Sequence, residues 1–316
     1  MANRVVVTGM GVVAPNGIGL TAFGNAIKNG VSGIRHISKL EELQFSCQIA
    51  GCPEISEALS LNYFSPLELR NFNSNGILYG VIAALDAWKD AGLPLNLEEP
   101  DWDSGTVFGA GTSGVDKLRE SIYKLDGLQI RKLGSTAVAQ TMTSGVSAYL
   151  GGKLGLGNQV TTNSSACSTG TEAILMGYEL IKAGKAKRML TGSTSDSGPY
   201  IWGGFDAMKV CTYKHNHSPE TGSRPMSESA SGFVPASGAG ALLLESLDSA
   251  LERGARIYAE IKGGHVNSGG QRGTGSMTAP NREAVQRCIQ GAISNAGINA
   301  DEIDVVNGHL TATSKD

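Results

Sequence analysis

A cysteine stands where a run of small residues meets a helical pattern. The segment at residues 159–171, QVTTNSSACSTGT, places Cys167 between a short β-branched run and an amphipathic stretch. This order predicts a strand, a tight turn that exposes the thiol, and a helix, which is the arrangement of a nucleophile elbow. Backbone N–H groups and the positive end of the helix dipole stabilise a thiolate there and can bind an oxyanion. Such a cysteine can exchange one acyl thioester for another of similar energy.

A buried, unreactive thiol is the alternative for any cysteine, and we adopt it for the other four. These are Cys47, Cys52, Cys211 and Cys288. Cys47 and Cys52 have no second Cys or His pair at metal-ligand spacing, so a zinc site is disfavoured. The odd number of scattered cysteines in a long chain also argues against a disulfide framework.

Short β-branched runs alternate with longer amphipathic stretches along the chain. The runs lie at residues 4–8, 105–108, 159–162, 188–192, 239–245, 257–261 and 303–306. This alternation predicts an α/β fold with mainly parallel strand pairing. Helices are predicted at 76–91 and 282–296; each stops at a glycine, Gly92 or Gly297, and precedes a predicted strand. We interpret the two helix–strand units as a weak internal duplication whose second copy is incomplete.

Composition excludes several classes of protein. With 26 basic and 29 acidic residues among 316, the net charge of −3 gives no electrostatic surface for nucleic acid or an anionic membrane. No apolar run approaches the roughly 18 residues of a membrane span. The N-terminus lacks the features of a secretory signal peptide, so we expect a cytoplasmic protein.

Five motifs in order along the chain resemble those of one family. The turn SACSTG at 165–170 is similar to the active-site turn of the β-ketoacyl-acyl carrier protein synthases, condensing enzymes of fatty acid and polyketide synthesis with the thiolase fold. The other four motifs are VVVTGMGVVAPNG at 5–17, GGFDA at 203–207, the stretch from RP at 224–225 through GFV at 232–234 to GAG at 238–240, and NGHLTAT at 307–313. Each motif alone is modest, but five in sequence are specific.

The resemblance implies roles for individual residues. Cys167 matches the catalytic nucleophile that receives the acyl chain, and His309 matches one of two catalytic histidines that assist malonyl decarboxylation and stabilise the enolate and oxyanion. Phe205 resembles a wall of the acyl channel. Thr311 and Thr313 resemble substrate-binding hydroxyls that contact the phosphopantetheine arm. No metal or redox cofactor is implied, because the substrates are carried on the phosphopantetheine of acyl carrier protein.

This sequence departs from the family pattern in two places. The second histidine, a lysine and a glycine-rich Phe loop follow the His309 motif in the family and have no counterpart here. Ala230 stands where the family usually has an arginine, and Ser237 where it has an acid. Losing one member of a buried ion pair strands a charge, whereas losing both can be nearly neutral, so we hypothesise that the two were lost together.

Three alternatives remain beside the condensing enzyme. A non-catalytic ketosynthase-like partner subunit of the chain-length-factor type usually lacks the nucleophile, whereas Cys167 is present. A thiolase acting on coenzyme A thioesters shares the nucleophile. The segment GMGVVA at 9–14 fits a dinucleotide-binding turn of an NAD-dependent dehydrogenase, but Pro15 and Gly17 oppose the required helix and no acid lies at the ribose-binding distance.

We therefore expect a thiolase-like layered α-β-α-β-α fold of two duplicated halves. An N-terminal half with the nucleophile elbow occupies residues 1–250, and the beginning of a C-terminal half occupies 251–316. The expected reaction is decarboxylative Claisen condensation of an acyl thioester with malonyl-acyl carrier protein. The partners implied are acyl carrier protein and a second ketosynthase subunit, in a homodimer or heterodimer that pairs strand 159–162 across its interface.

Overall fold

The computed structural model describes residues 3–95, 98–269, 273 and 279–313. Its strands are β1 (Val5–Ala14), β2 (Gly17–Ile18), β3 (Ile34–His36), β4 (Ile49–Gly51), β5 (Ser104–Ala110), β6 (Val160–Thr161), β7 (Arg188–Ser195), β8 (Gly238–Ser246) and β9 (Ala259–Ile261). Its α-helices are α1 (Leu20–Lys28), α2 (Ser38–Glu42), α3 (Glu57–Ser60), α4 (Pro66–Leu69), α5 (Asn75–Asp90), α6 (Val115–Asp126), α7 (Ala137–Thr141), α8 (Gly145–Leu154), α9 (Thr169–Lys182), α10 (Pro199–Ala207), α11 (Leu247–Glu252) and α12 (Arg282–Ala296).

The main sheet separates two hydrophobic cores. Its strand order is β2-β1-β8-β7-β5-β6, with β9 also paired to β1. Side chains alternate between the faces of a strand, so Phe108 and Leu243 pack with α5 on one face, while their neighbours Val107 and Leu244 pack with α9 on the other. A sheet covered by helices on both faces confirms the predicted α/β class.

Glycines in β1 allow α5 to lie close against the sheet. A Cβ atom on Gly9 would stand 2.1 Å from the carbonyl oxygen of Ala87, and one on Gly11 would stand 1.9 Å from that of Ala83. Both glycines belong to one continuous strand, and β2 follows the strand after a turn. The segment at 9–14 is therefore strand rather than a dinucleotide-binding turn, and the dehydrogenase alternative loses its only support.

The prediction of mainly parallel pairing was wrong. β5 pairs parallel with β6 and β7, but β7–β8, β8–β1, β1–β9 and β1–β2 are antiparallel. β8 follows α10 and a long irregular segment, and it returns between β7 and β1 in the opposite direction. Apolar runs mark strands but carry no information on strand direction.

The second helix–strand unit is built differently from the first. Gly92 and Gly297 end α5 and α12 as predicted, with φ of 69° and 65° in the left-handed region that favours glycine. The strand predicted at 303–306 is not formed: Val305 and Val306 are exposed and have no strand partner among the described residues. Val285 and Ile289 of α12 are also exposed, because no core in the described part of the chain packs against them. In the same described ranges, no helix is long and apolar enough to cross a membrane.

Candidate active site

The segment around Cys167 forms the predicted order of strand, tight turn and helix, and we call this turn the elbow. β6 ends at Thr161, a short 3-10 helix spans Ala166–Ser168, and α9 begins at Thr169. Ala166 has φ of 48°, which places a residue with a Cβ atom in the strained left-handed region. Cys167 follows it and is exposed. An exposed thiol just before a helix N-terminus can reach the carbonyl carbon of a thioester that approaches from solvent.

Hydrogen bonds to Thr169, the first residue of α9, hold this turn. Thr169 Oγ1 accepts a hydrogen bond from the Ser165 backbone N–H at 2.8 Å and donates to the Ala166 carbonyl oxygen at 2.7 Å. Asn163 Nδ2 donates to the Thr169 carbonyl oxygen at 2.8 Å. Gly109 of β5 lies so close that a Cβ atom there would stand 2.2 Å from Thr169 Cγ2. The turn is thus fixed between α9 and the sheet.

Glu172 also lies at this turn, although none of the sequence motifs includes it. Its two carboxylate oxygens accept hydrogen bonds from Ser165 Oγ at 2.5 Å and Ser168 Oγ at 2.9 Å, so it joins the residues on both sides of Cys167. The Thr169-x-x-Glu172 spacing, which is that of a capping box, is the sequence signal that could have drawn attention to it.

Phe205 and the two threonines belong to one connected region. The Phe205 and Phe233 rings pack edge to face with centroids 5.4 Å apart. The adjacent Gly232 N–H donates to the Ala312 carbonyl oxygen at 2.8 Å. Ala312 is buried between Thr311 and Thr313, whose Oγ1 atoms lie 3.4 Å apart. Packing and hydrogen bonds therefore bring three of the predicted site residues together across a long sequence separation.

Cys167 and His309 lie in different parts of the chain, one at the turn before α9 and the other in the segment after α12. The His309 side chain is exposed, in a segment without regular secondary structure. Among the described residues, neither the Cys167 thiol nor the His309 ring takes part in a hydrogen bond or an ion pair.

Two of the other four cysteines are buried as predicted, whereas Cys52 and Cys288 are only partly buried. Cys47 and Cys211 lie beside Phe205 and Ile49 in a small hydrophobic cluster. Burial raises the pKa of the Cys211 thiol to about 12, and burial likewise raises that of Cys47. Both thiols therefore stay protonated and unreactive near neutral pH. No group of three or more His, Cys, Asp and Glu side chains in the described ranges could hold a metal ion.

Comparison with known proteins identifies the family. The family model described as "Beta-ketoacyl synthase, N-terminal domain" matches residues 2–250, and its C-terminal counterpart matches residues 258–316. The 3-oxoacyl-[acyl-carrier-protein] synthase 2 of Staphylococcus aureus is 34% identical over 98% of this chain and 73% of its own length. The chain therefore belongs to the β-ketoacyl synthase family.

Solved structures agree with this assignment. A β-ketoacyl synthase from Burkholderia phymatum superposes with a TM-score of 0.89 at 28% identity, covering 99% of this chain and 75% of that one. A type II polyketide ketosynthase, bound to a hexaketide and in complex with its acyl-carrier protein, gives 0.85 at 26% identity, covering 100% and 75%. These likenesses confirm the predicted thiolase-type fold and the predicted activity, that of a 3-oxoacyl-[acyl-carrier-protein] synthase, which is an acyl-transferring condensing enzyme.

Proposed function

We propose that Cys167 is the residue that accepts the acyl chain from an acyl carrier protein. After the Cys167 thiol loses its proton, the thiolate attacks the thioester carbonyl carbon and the bond to the phosphopantetheine sulfur breaks. The carrier thiolate that leaves takes up a proton, so the exchange balances. The observation that carries this proposal is the exposed thiol at the elbow before α9. Backbone N–H groups at the start of the helix supply donors for the developing oxyanion.

The second step forms the new carbon–carbon bond. Malonyl thioester loses carbon dioxide, its enolate carbon attacks the acyl-Cys167 carbonyl, and the Cys167 thiolate leaves. In this proposal His309 donates a hydrogen bond to the thioester oxygen on which negative charge develops. Thr311 and Thr313 hold the phosphopantetheine arm and Phe205 forms part of the acyl channel; their link through Phe233 and Gly232 supports a shared binding region.

The proposed reaction uses no metal or redox cofactor, and its partner is acyl carrier protein. A related ketosynthase has been solved in complex with its acyl-carrier protein, which supports this partner. The domain division at residue 250 and the cytoplasmic location stay predictions.

The binding roles can be tested by comparing acyl transfer from acyl-acyl carrier protein with transfer from a free acyl-pantetheine thioester. Thr311→Val and Thr313→Val remove one hydroxyl each at nearly constant volume. We expect both variants to slow transfer from both thioesters, because both carry the pantetheine arm. Thr221→Val, which removes a hydroxyl from an exposed 3-10 helix, is the matched control. Unchanged rates in both site variants would contradict the role of these hydroxyls. A wild-type chain that accepts no acyl group from either thioester would instead favour the non-catalytic partner subunit.

We further propose that β6 pairs across a subunit interface. β6 stands at one end of the strand order, and Val160 on it is partly exposed. An unpaired edge strand is a template for pairing with another chain. Val160→Asp should convert a dimer into a monomer in light scattering coupled to size exclusion, while Val305→Asp, at an exposed valine distant in sequence, should leave the mass unchanged. A monomeric wild-type chain would contradict this interface.

A further inference from the structure

Glu172 connects the two serines that flank the nucleophile. Ser165 lies two residues before Cys167 and Ser168 one residue after it, and each hydroxyl donates to a different oxygen of the same carboxylate. Ser168 Oγ also lies 2.8 Å from the Ser165 carbonyl oxygen. Glu172 belongs to the first turn of α9, which packs on β5 and β7. The carboxylate therefore joins both ends of the elbow to a helix that is itself fixed on the sheet.

The elbow needs such a restraint because its backbone is strained. Ala166 holds a φ of 48° although it is not glycine, and a side-chain Cβ atom disfavours that conformation. Thr169 restrains the backbone through its hydrogen bonds to Ser165 and Ala166. Glu172 restrains the side chains on the exposed side of the same turn. Relaxation of Ala166 to a common conformation would break this set of bonds and turn Cys167 away from its position.

We propose that Glu172 is a positioning residue for Cys167. It holds the strained turn in the conformation that presents the thiol, and it keeps the Ser165 and Ser168 hydroxyls bound to a carboxylate rather than free to compete for the incoming thioester. The expected effect of Glu172 on the rate of acyl transfer rests on the proposed function of Cys167. The restraint of the turn by Glu172 is independent of that function.

Hydrogen exchange of the peptide covering residues 163–170 tests the restraint without any need for activity. Glu172→Ala should speed exchange of these amides by about tenfold. In the wild type, local opening of the turn must first break the two hydrogen bonds from the serines to Glu172, and in the variant these bonds are absent. Glu172→Gln keeps one carbonyl acceptor and should give an intermediate rate. Glu179→Ala, at an exposed position of the same helix, is the control and should leave the peptide unchanged. Unchanged exchange in both Glu172 variants would overturn the proposal.

A rescue experiment separates positioning from general stability of α9. Ala166→Gly removes the strain, so it should restore most of the acyl transfer rate lost in Glu172→Ala. Alkylation of Cys167 by iodoacetamide at a pH well above the usual thiol value of about 8.5 should change less than twofold in all variants, because that reaction needs no binding geometry. Loss of acyl transfer that Ala166→Gly does not rescue would contradict positioning. If Glu172→Ala speeds exchange but the wild-type chain never accepts an acyl group, the proposed function of Cys167 is contradicted while the restraint of the turn by Glu172 is supported.

Discussion

The backbone N–H of Gly232 donates a hydrogen bond to the carbonyl oxygen of Ala312 at 2.8 Å. This bond joins the Gly-Phe-Val motif before β8 to the segment that carries His309 and the two site threonines. Phe233, the next residue, packs against Phe205. One short contact therefore connects motifs that lie far apart in the sequence, and it fixes an end of a segment that has no regular secondary structure.

Gly232→Ala should weaken this connection. Gly232 has φ of 123°, and a Cβ atom there would stand 2.5 Å from the Val210 carbonyl oxygen. Backbone strain and overpacking together should cost about 1–3 kcal/mol in the free energy of unfolding, measured with urea. Gly204→Ala is the control, because nothing lies within 4 Å of its added Cβ atom and it falls in α10. Equal stability of the two variants would contradict a structural role for the contact.

Arg253→Ala should strongly destabilise the fold. Glu245 of β8 is fully buried; it accepts hydrogen bonds from Arg253 at 2.7 Å, Ser249 at 2.8 Å and Thr8 at 3.0 Å. Removing the guanidinium leaves the buried carboxylate with Arg188, 3.8 Å away, as its nearest cation. Breaking a buried pair typically costs about 3–5 kcal/mol, and we expect a loss near the lower end of that range. Arg4→Ala breaks a largely exposed pair with Glu260 and should leave the urea midpoint almost unchanged. A small effect of Arg253→Ala would show that Glu245 does not depend on this partner.

The same ion pair predicts a loss of stability in acid. Burial raises the pKa of Glu245. The hydrogen bonds from Arg253 and Ser249, together with the charge of Arg253, lower it by a larger amount, so the pKa lies below its usual value. The pair therefore contributes fully above the unfolded value of about 4.3, and this contribution is lost as the pH falls through the folded pKa. The stability gap between wild type and Arg253→Ala should be widest near neutral pH and narrow below about pH 4. A gap that stays constant down to pH 3 would argue against this assignment.

The double variant Ala230→Arg/Ser237→Glu, which restores the residues usual in the family, should lose less stability than either single variant. Ser237 is buried, and its backbone N–H donates to the Gly51 carbonyl oxygen at 2.9 Å. Ser237→Glu alone would place an uncompensated charge in this position, which costs several kcal/mol. Adding Ala230→Arg should supply its partner. Thermal melting of the two single variants and the double variant measures this directly, and equal losses in all three would contradict the joint loss of an ion pair.

The sequence predicted elements that depend on local pattern. α5 and α9 follow from apolar spacing, and Gly92 and Gly297 mark helix ends because they adopt positive φ. The elbow at Cys167 was predictable because a β-branched run, small residues and an amphipathic stretch follow one another directly. These features lie within one short segment each, so tertiary contacts are not needed to read them.

Long-range features could not be predicted in the same way. The antiparallel entry of β8 between β7 and β1 depends on the path of a long irregular segment. The apolar run at 303–306 has the composition of a strand, but a strand also needs a neighbour, and the described residues supply none. The contacts of Glu172 are local in sequence, since Ser165 and Ser168 precede it by seven and four residues, but they form only in the conformation that the elbow adopts.

Intact mass spectrometry after incubation with an acyl-acyl carrier protein tests the central claim most directly. If Cys167 is the nucleophile, the 32.8 kDa chain should gain one acyl group, and the gain should disappear in Cys167→Ala. Cys288→Ala, which removes a partly buried thiol, should leave the adduct in place. A chain that gains no acyl group, or an adduct that persists in Cys167→Ala, would contradict the assignment of Cys167 as the acyl-accepting residue.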